Sequence, residues 1–324
     1  MIDKYIFLFI ATISLFSPLH SQYLIEQNEQ SRIKDNNVSV KTEWEHSVDN
    51  GTVDDKGIMT SVTRYDDNGN VLEKISYRYN GDISSKENYA YDSKGNETEF
   101  TRYDGRQKEY TVKRYTKYNN KGLKVNENGL NGPDGPFSNY YKYNADGEIS
   151  EIYYYASNKL IEKRTIEYDN DSREIKVYNG AGALTQRIVK KVDPRDNLLE
   201  ETTYSPDGKV TRKYVYQYDK NNNRILEEKY YGTNLRERLR KTYNSKNNLT
   251  KVIEEDGEGN SFTSKIFSYD SRGILIEEKW YNQGKDKFSS KRYKYNARGN
   301  LIEANCYFAN FDSRYLYKYQ YETH

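Results

Sequence analysis

The stretch Tyr269–Glu303 reads YDSRGILIEEKWYNQGKDKFSSKRYKYNARGNLIE, one full repeat and the start of the next. Tyr, then Asp or Asn, two loosely specified residues and Gly open an apolar, Glu-rich run. A looser Gly turn follows, and a Lys/Tyr-rich run leads back to the next Tyr. The same opening recurs at Tyr65, Tyr91, Tyr118, Tyr143, Tyr168, Val192, Tyr218, Tyr243, Tyr269 and Tyr295, spaced 24 to 27 residues apart. A fixed period of this size marks a repeat architecture, each unit being one supersecondary element.

The position four residues after each opening gives the period a physical cause. It holds Gly69, Gly95, Gly122, Gly147, Ser172, Asp196, Asn222, Asn247, Gly273 and Gly299. Gly, Asn and Asp tolerate the left-handed backbone that a three-residue hairpin loop ending in a bulge requires. Ser172, in YDNDSREIK, is out of character and predicts a differently built turn.

Outside the repeat, residues 1–21 carry Lys4 and an apolar run from Tyr5 to Phe16, then small and polar residues before Gln22. The run is too short to span a bilayer and reads as a secretory signal peptide, although Leu19 softens the cleavage site. No later segment approaches a membrane span. Residues 22–52 are polar and lack the repeat; they predict a flexible start followed by capping strands around Val38 to Trp44. Residues 53–324 form the array, with a degenerate opening at Val53 and a longer Gly/Pro loop over Asn126–Phe137 (NENGLNGPDGPF).

The fold class that follows is all-β. It is an antiparallel meander of β-hairpin repeats of about 25–26 residues, forming a twisted or curled extended sheet. Roughly twenty strands laid flat at about 4.8 Å each would span on the order of 95 Å, so the sheet should twist, curl or fold on itself. Tyr214, Tyr216 and Tyr218 share one face, as do Tyr293 with Tyr295 and Tyr317 with Tyr319 and Tyr321. After the turns, apolar residues fall on both faces, as in LIEE at Leu275. A curled sheet and a single-layer ribbon with Lys/Glu ladders both fit that pattern.

The units Y-D-S-R-G-I-L-I-E-E, Y-N-A-R-G-N-L-I-E and Y-D-D-N-G-N-V-L-E resemble the YD repeats of Rhs-type and teneurin-type proteins over nearly everything after residue 53. The resemblance implies a long spiralling sheet that can close into a shell, and an association with extracellular surfaces, carbohydrate binding and toxin packaging. This chain departs from the large toxins. It lacks a D-P-x-G core-closing motif and any C-terminal domain after Tyr321, and its one Asp-Pro pair, Asp193 and Pro194, sits in a repeat turn. Toxin packaging is therefore not carried over.

Composition and the chemical inventory narrow the function. The net charge of +2 is unchanged by removal of residues 1–21 and argues against a nucleic-acid partner. Mean hydropathy of −1.11 would suggest disorder, but 35 tyrosines in a regular period argue for packed strands. Cys306 is alone, so no internal disulfide framework exists, and in its strand pattern it reads as a buried small hydrophobe. The histidines are His20, His46 and His324, all terminal, which leaves little for a His-based triad or a zinc site. Asp219, Asn221 and Asn223 begin like a calcium loop, but Arg224 stands where Gly is needed, so no metal and no cofactor is assigned.

The recurring Glu73, Glu99, Glu151, Glu200, Glu277 and Glu303 could in principle supply a glycosidase pair. A row of Glu facing Lys and Arg on neighbouring strands is the simpler reading, because a catalytic pair should break the repeat. The expectation is a non-enzymatic, exported binding protein, secreted, periplasmic or at the cell surface. Its candidate ligand-binding rings are Tyr214, Tyr216, Tyr218, Trp280, Tyr281, Tyr293, Tyr295, Tyr317 and Tyr319, and its partner a polysaccharide or surface protein. A cell-envelope scaffold is the alternative, and a glycan hydrolase using the Glu rows a weaker one.

Overall fold

The computed structural model describes residues 29–105, 110–281 and 287–324. The signal-peptide expectation and the first residues of the N-terminal segment lie outside them. The described residues hold 23 strands, from Val38–Asp49 to Ser313–Thr323, joined as an antiparallel meander.

Each unit folds because its turn chemistry and its alternation agree. In the unit opening at Tyr269, the Asp270 N–H donates to the Ile274 carbonyl and the Gly273 N–H to the Asp270 carbonyl, both at 2.9 Å. Gly273 sits at φ +90°. This is the three-residue loop with a terminal bulge that the spacing predicts. The Asp270 carboxylate fixes it, accepting from the N–H of Arg272 at 2.9 Å and of Ile274 at 2.8 Å. Asp or Asn recurs after the opening residue for that reason. Asp196, Asn222 and Asn247 take positive φ values of 65°, 70° and 62° in the same role. Ser172 does not adopt positive φ; there the Asp169 N–H reaches the Ser172 carbonyl in a tighter turn.

The sheet closes, which corrects the expectation of an open, curled sheet. Val38–Asp49 pairs along one edge with Ile58–Tyr65 and along the other with Ser313–Thr323. Thr52–Val53 only bridges back to Val48 and Asp49, so 22 of the 23 strands make one continuous β-barrel wall. The segment expected to cap the array is its closing stave. Closure also resolves the edge problem that a free meander of this size would carry. At about 4.8 Å per strand, 22 strands give a circumference on the order of 105 Å, too wide for side chains to fill. The Gly/Pro segment is shorter as a loop than its composition suggests. Asn126 to Asn131 remain in the strand Lys124–Asn131, and a 3-10 turn, Gly132–Asp134, makes the reversal.

Residues 29–35 are helical and lie against the rim formed by the Tyr-Asp turns. Ile33 is buried with Val38 and Tyr65, against Val71 and Tyr321. Gln30 donates to Asn70 at 3.0 Å, and Asn36 to Asn300 at 2.9 Å.

Candidate functional site: the two faces of the barrel wall

A closed wall has a lumenal and an outer face, and the period-2 alternation of each strand divides its residues between them. One cavity of about 1270 Å³ touches alternate residues of strands from Leu198 to Tyr321 together with the helix, so it lies on the concave side. Tyr218, Tyr243, Tyr269, Tyr295 and Tyr321 line it. The cross-strand register then carries the face assignment around the wall.

On the lumenal face the repeat tyrosines perform one task. The hydroxyls of Tyr91, Tyr118, Tyr143, Tyr168, Tyr218, Tyr243, Tyr269, Tyr295 and Tyr321 donate to backbone carbonyls of Val71, Glu97, Lys124, Ile149, Leu198, Arg224, Leu249, Leu275 and Leu301. The distances run from 2.6 Å at Tyr143 to 3.0 Å at Tyr91. Each of these acceptors pairs with the opening residue of the preceding unit, where the ladder register shifts at a bulge. The hydroxyl gives that carbonyl a hydrogen bond that Phe would remove. Burial pushes the phenols of Tyr243 and Tyr269 up to about 12.

Between these tyrosines the lumen is polar. Glu227 lies 3.6 Å from Arg224 and 3.4 Å from Lys241. Burial pulls the Lys241 ammonium down, while burial and the neighbouring Glu237 push the Glu254 carboxyl up. Cys306 is 3% exposed, and burial raises its thiol away from the nucleophilic range. His46 is buried with Nδ1 2.6 Å from the Asp54 carbonyl, and His324 lies 3.4 Å from Asp67.

The candidate rings divide unevenly. Tyr214, Tyr216, Tyr218, Trp280, Tyr293, Tyr295, Tyr317 and Tyr319 fall on the lumenal face by register, and Tyr281 on the outer face opposite Phe288. Trp280 and the rings from Tyr293 to Tyr319 share one arc of the wall, where Trp280 meets Phe308 edge-on at 6.1 Å. Tyr214 to Tyr218 belong to a separate arc several strands away. Gly69, Gly95, Gly122, Gly147, Gly273 and Gly299 all take positive φ in their turns.

The outer face is an ion-pair ladder. Glu73 lies between Arg64, at 3.2 Å, and Lys86. Glu151 lies between Lys142 and Lys163, at 2.8 and 2.7 Å. Glu200 pairs with Lys213 and Lys191, and Glu277 with Arg292 and Lys279. Hydrogen bonds from Lys142 and Lys163 hold the Glu151 carboxyl down at about 2. A glycosidase acid needs the opposite shift, held protonated near neutral pH. No helix among the described residues is long and apolar enough to cross a membrane, which says nothing of strands. For the strands the outer face itself is informative: a spanning barrel needs an outward apolar band, and each Arg or Lys at its midplane costs about 2–4 kcal/mol.

No protein-family model and no curated protein matches the chain. Among solved structures it is similar to TcdB2-TccC3-Cdc42, at 12% identity and TM-score 0.22, over 83% of this chain and 21% of that one. It thus spans about a fifth of that chain's length. It is also similar to porin-like proteins from Bacteroides uniformis, at 11% identity and TM-score 0.30, and Bacteroides vulgatus, at 8% and 0.20. Each match covers 88% of this chain, and 96% and 98% of the respective porin-like chain. At these TM-scores the likenesses carry no argument about function, and the architecture rests on the strand pairings above.

Proposed function

We propose that the chain is an exported, non-enzymatic binding protein of the cell surface or envelope, a barrel that works in water and offers tyrosine rings to a polysaccharide or surface protein. The observation that carries this reading is the outer wall. Near the turns it holds Glu between lysines, as at Glu151 and Glu200, and nearer the strand centres Lys163, Lys213 and the Glu228–Arg238 pair at 2.6 Å keep it charged, which suits water and not lipid. Some of its tyrosines remain exposed among those charges. A scaffold is the second reading, favoured by the use of the lumenal hydroxyls to hold the backbone.

Glycan-array and pull-down measurements on residues 22–324 test the proposal. Retention of a glycan or surface protein without turnover is the expected result. No retained ligand at high protein concentration leaves the scaffold, and release of shorter sugars points to an enzyme. Intact mass of protein from the native host tests export: a start at or near Gln22 is expected, and an uncut Met1 in the cytoplasm contradicts it.

A further inference from the structure

The outer ladder has a gap that the repeat itself defines. Four residues after the turn position, the repeat places Glu73, Glu99, Glu151, Glu200, Glu277 and Glu303, with Lys176, Leu226 and Lys251 at three other units and, after Gly122, the amide of Asn126. The strand Lys124–Asn131 turns Asn126, Asn128 and Leu130 outward by register, with no charge among them. The Asn128 amide donates to the Asn126 side-chain oxygen at 2.7 Å, and the Asn126 amide to the Asn139 carbonyl at 3.0 Å. The pair is thereby held as a fixed array of amides.

Exposed rings flank this gap. Tyr115, 41% exposed, opposes Asn128 from one side, and Tyr140, 47% exposed, opposes Asn126 from the other. Both lie within strands, whereas the more exposed Tyr79 and Tyr231 lie at strand ends or turns. Tyr140 is braced edge-on by Tyr155 at 5.7 Å between centroids. Tyr115 and Tyr140 are two strands apart with a two-residue offset, roughly 12 Å. That span suits a few consecutive sugar rings, with faces on the tyrosines and hydroxyls on the amides between. The strand Lys124–Asn131 itself offers amides and no outward charge, which favours an uncharged chain, and Lys142 is engaged with Glu151 at 2.8 Å. Lys117, opposite Asn126 on the same face, is exposed beside the window, so an anionic chain is the necessary control.

We infer that Tyr115, Asn126, Asn128 and Tyr140 form a binding platform for a neutral polysaccharide on the outside of the barrel. The inference rests on the binding reading above and adds where and what. Departures from a consistent repeat are where functional sites are expected, and of the four units that lack the Glu this one places amides between two exposed rings.

Affinity electrophoresis of residues 22–324 through gels containing soluble β-glucan, xylan, mannan or polygalacturonate tests it. One neutral polysaccharide should retard the protein, with retardation weakened at least about fivefold in Tyr115→Ala, Tyr140→Ala and Asn126→Glu. Asn126→Glu restores the repeat residue, so its thermal melt should match the wild type and separate lost binding from lost folding. Tyr231→Ala, at a distant turn, should bind as the wild type. If a neutral polysaccharide retards all variants equally, the binding reading survives and this platform falls. Retardation by polygalacturonate alone, abolished by salt, also overturns the platform, because it assigns binding to lysines. Retardation by none of the four overturns the platform, while the pull-down still decides the broader reading.

Discussion

At Gly273 the backbone stands at φ +90°, and an added Cβ would lie 3.1 Å from the Asn248 side-chain amide. Gly273→Val should therefore cost about 1–3 kcal/mol in denaturant melts and Gly273→Asn clearly less, since Asn tolerates this conformation. Equal losses would contradict the turn assignment. This much is legible in the sequence, because Gly, Asn and Asp alternate at one repeat position. The carboxylate of Asp270, which holds the same turn, is visible only as a recurring letter until its bonds to Arg272 and Ile274 are seen. Glu151 gives a second test at this scale. Its carboxyl lies at about 2 in the folded protein against an ordinary 4.5, held down by Lys142, Lys163 and Tyr153. A depressed acid stabilises the fold above its unfolded pKa and loses that contribution as pH falls through the folded one. Glu151→Gln should melt lower than the wild type at neutral pH, and the gap should close between about 4.5 and about 2. A gap independent of pH would contradict the ion-pair account.

At the scale of the strand, the tyrosine period has a cause that spacing alone does not reveal. Alternation places Tyr218, Tyr269 and Tyr295 on one face, but whether a ring there meets a ligand or a carbonyl depends on a strand about 20 residues earlier. That carbonyl lies at the bulge beside the preceding turn, and the hydroxyl donates to it. Tyr269→Phe, which keeps the ring and removes the hydrogen bond to the Leu249 carbonyl, should cost about 0.5–1.5 kcal/mol in urea melts. An unchanged midpoint would show that water replaces the hydroxyl without loss. The unit opening at Val192 lacks the hydroxyl and also follows the aberrant Ser172 turn, so the two exceptions fall in adjacent units. The sign of each face was the least legible feature. Apolar residues such as Leu226 and Leu316 fall on the outer face by register and are nonetheless buried, so hydrophobicity alone does not mark the inside.

For the whole molecule, the sequence predicts an antiparallel meander, and the length of that meander requires it to bend. What no local pattern shows is that Val38–Asp49, outside the repeat, pairs with the last strand as well as the first array strand. Closure fixes which face is lumen, and with it the charged outer wall. The mature protein should accordingly stay at the bottom of a density gradient when mixed with phospholipid vesicles. Flotation with protease-protected strands would contradict the water-facing assignment. Closure itself is tested by a single cross-link across the seam. Thr42 and Gln320 are directly opposed on the two joining strands, and opposed Cα atoms in an antiparallel pair lie about 4.5–5.5 Å apart, within disulfide range. In a Cys306→Ala background, Thr42→Cys with Gln320→Cys should oxidise to an intramolecular disulfide, independent of protein concentration and seen by intact mass after alkylation. Two free thiols, or only concentration-dependent dimers, would show that the seam is open and that the chain is not a barrel.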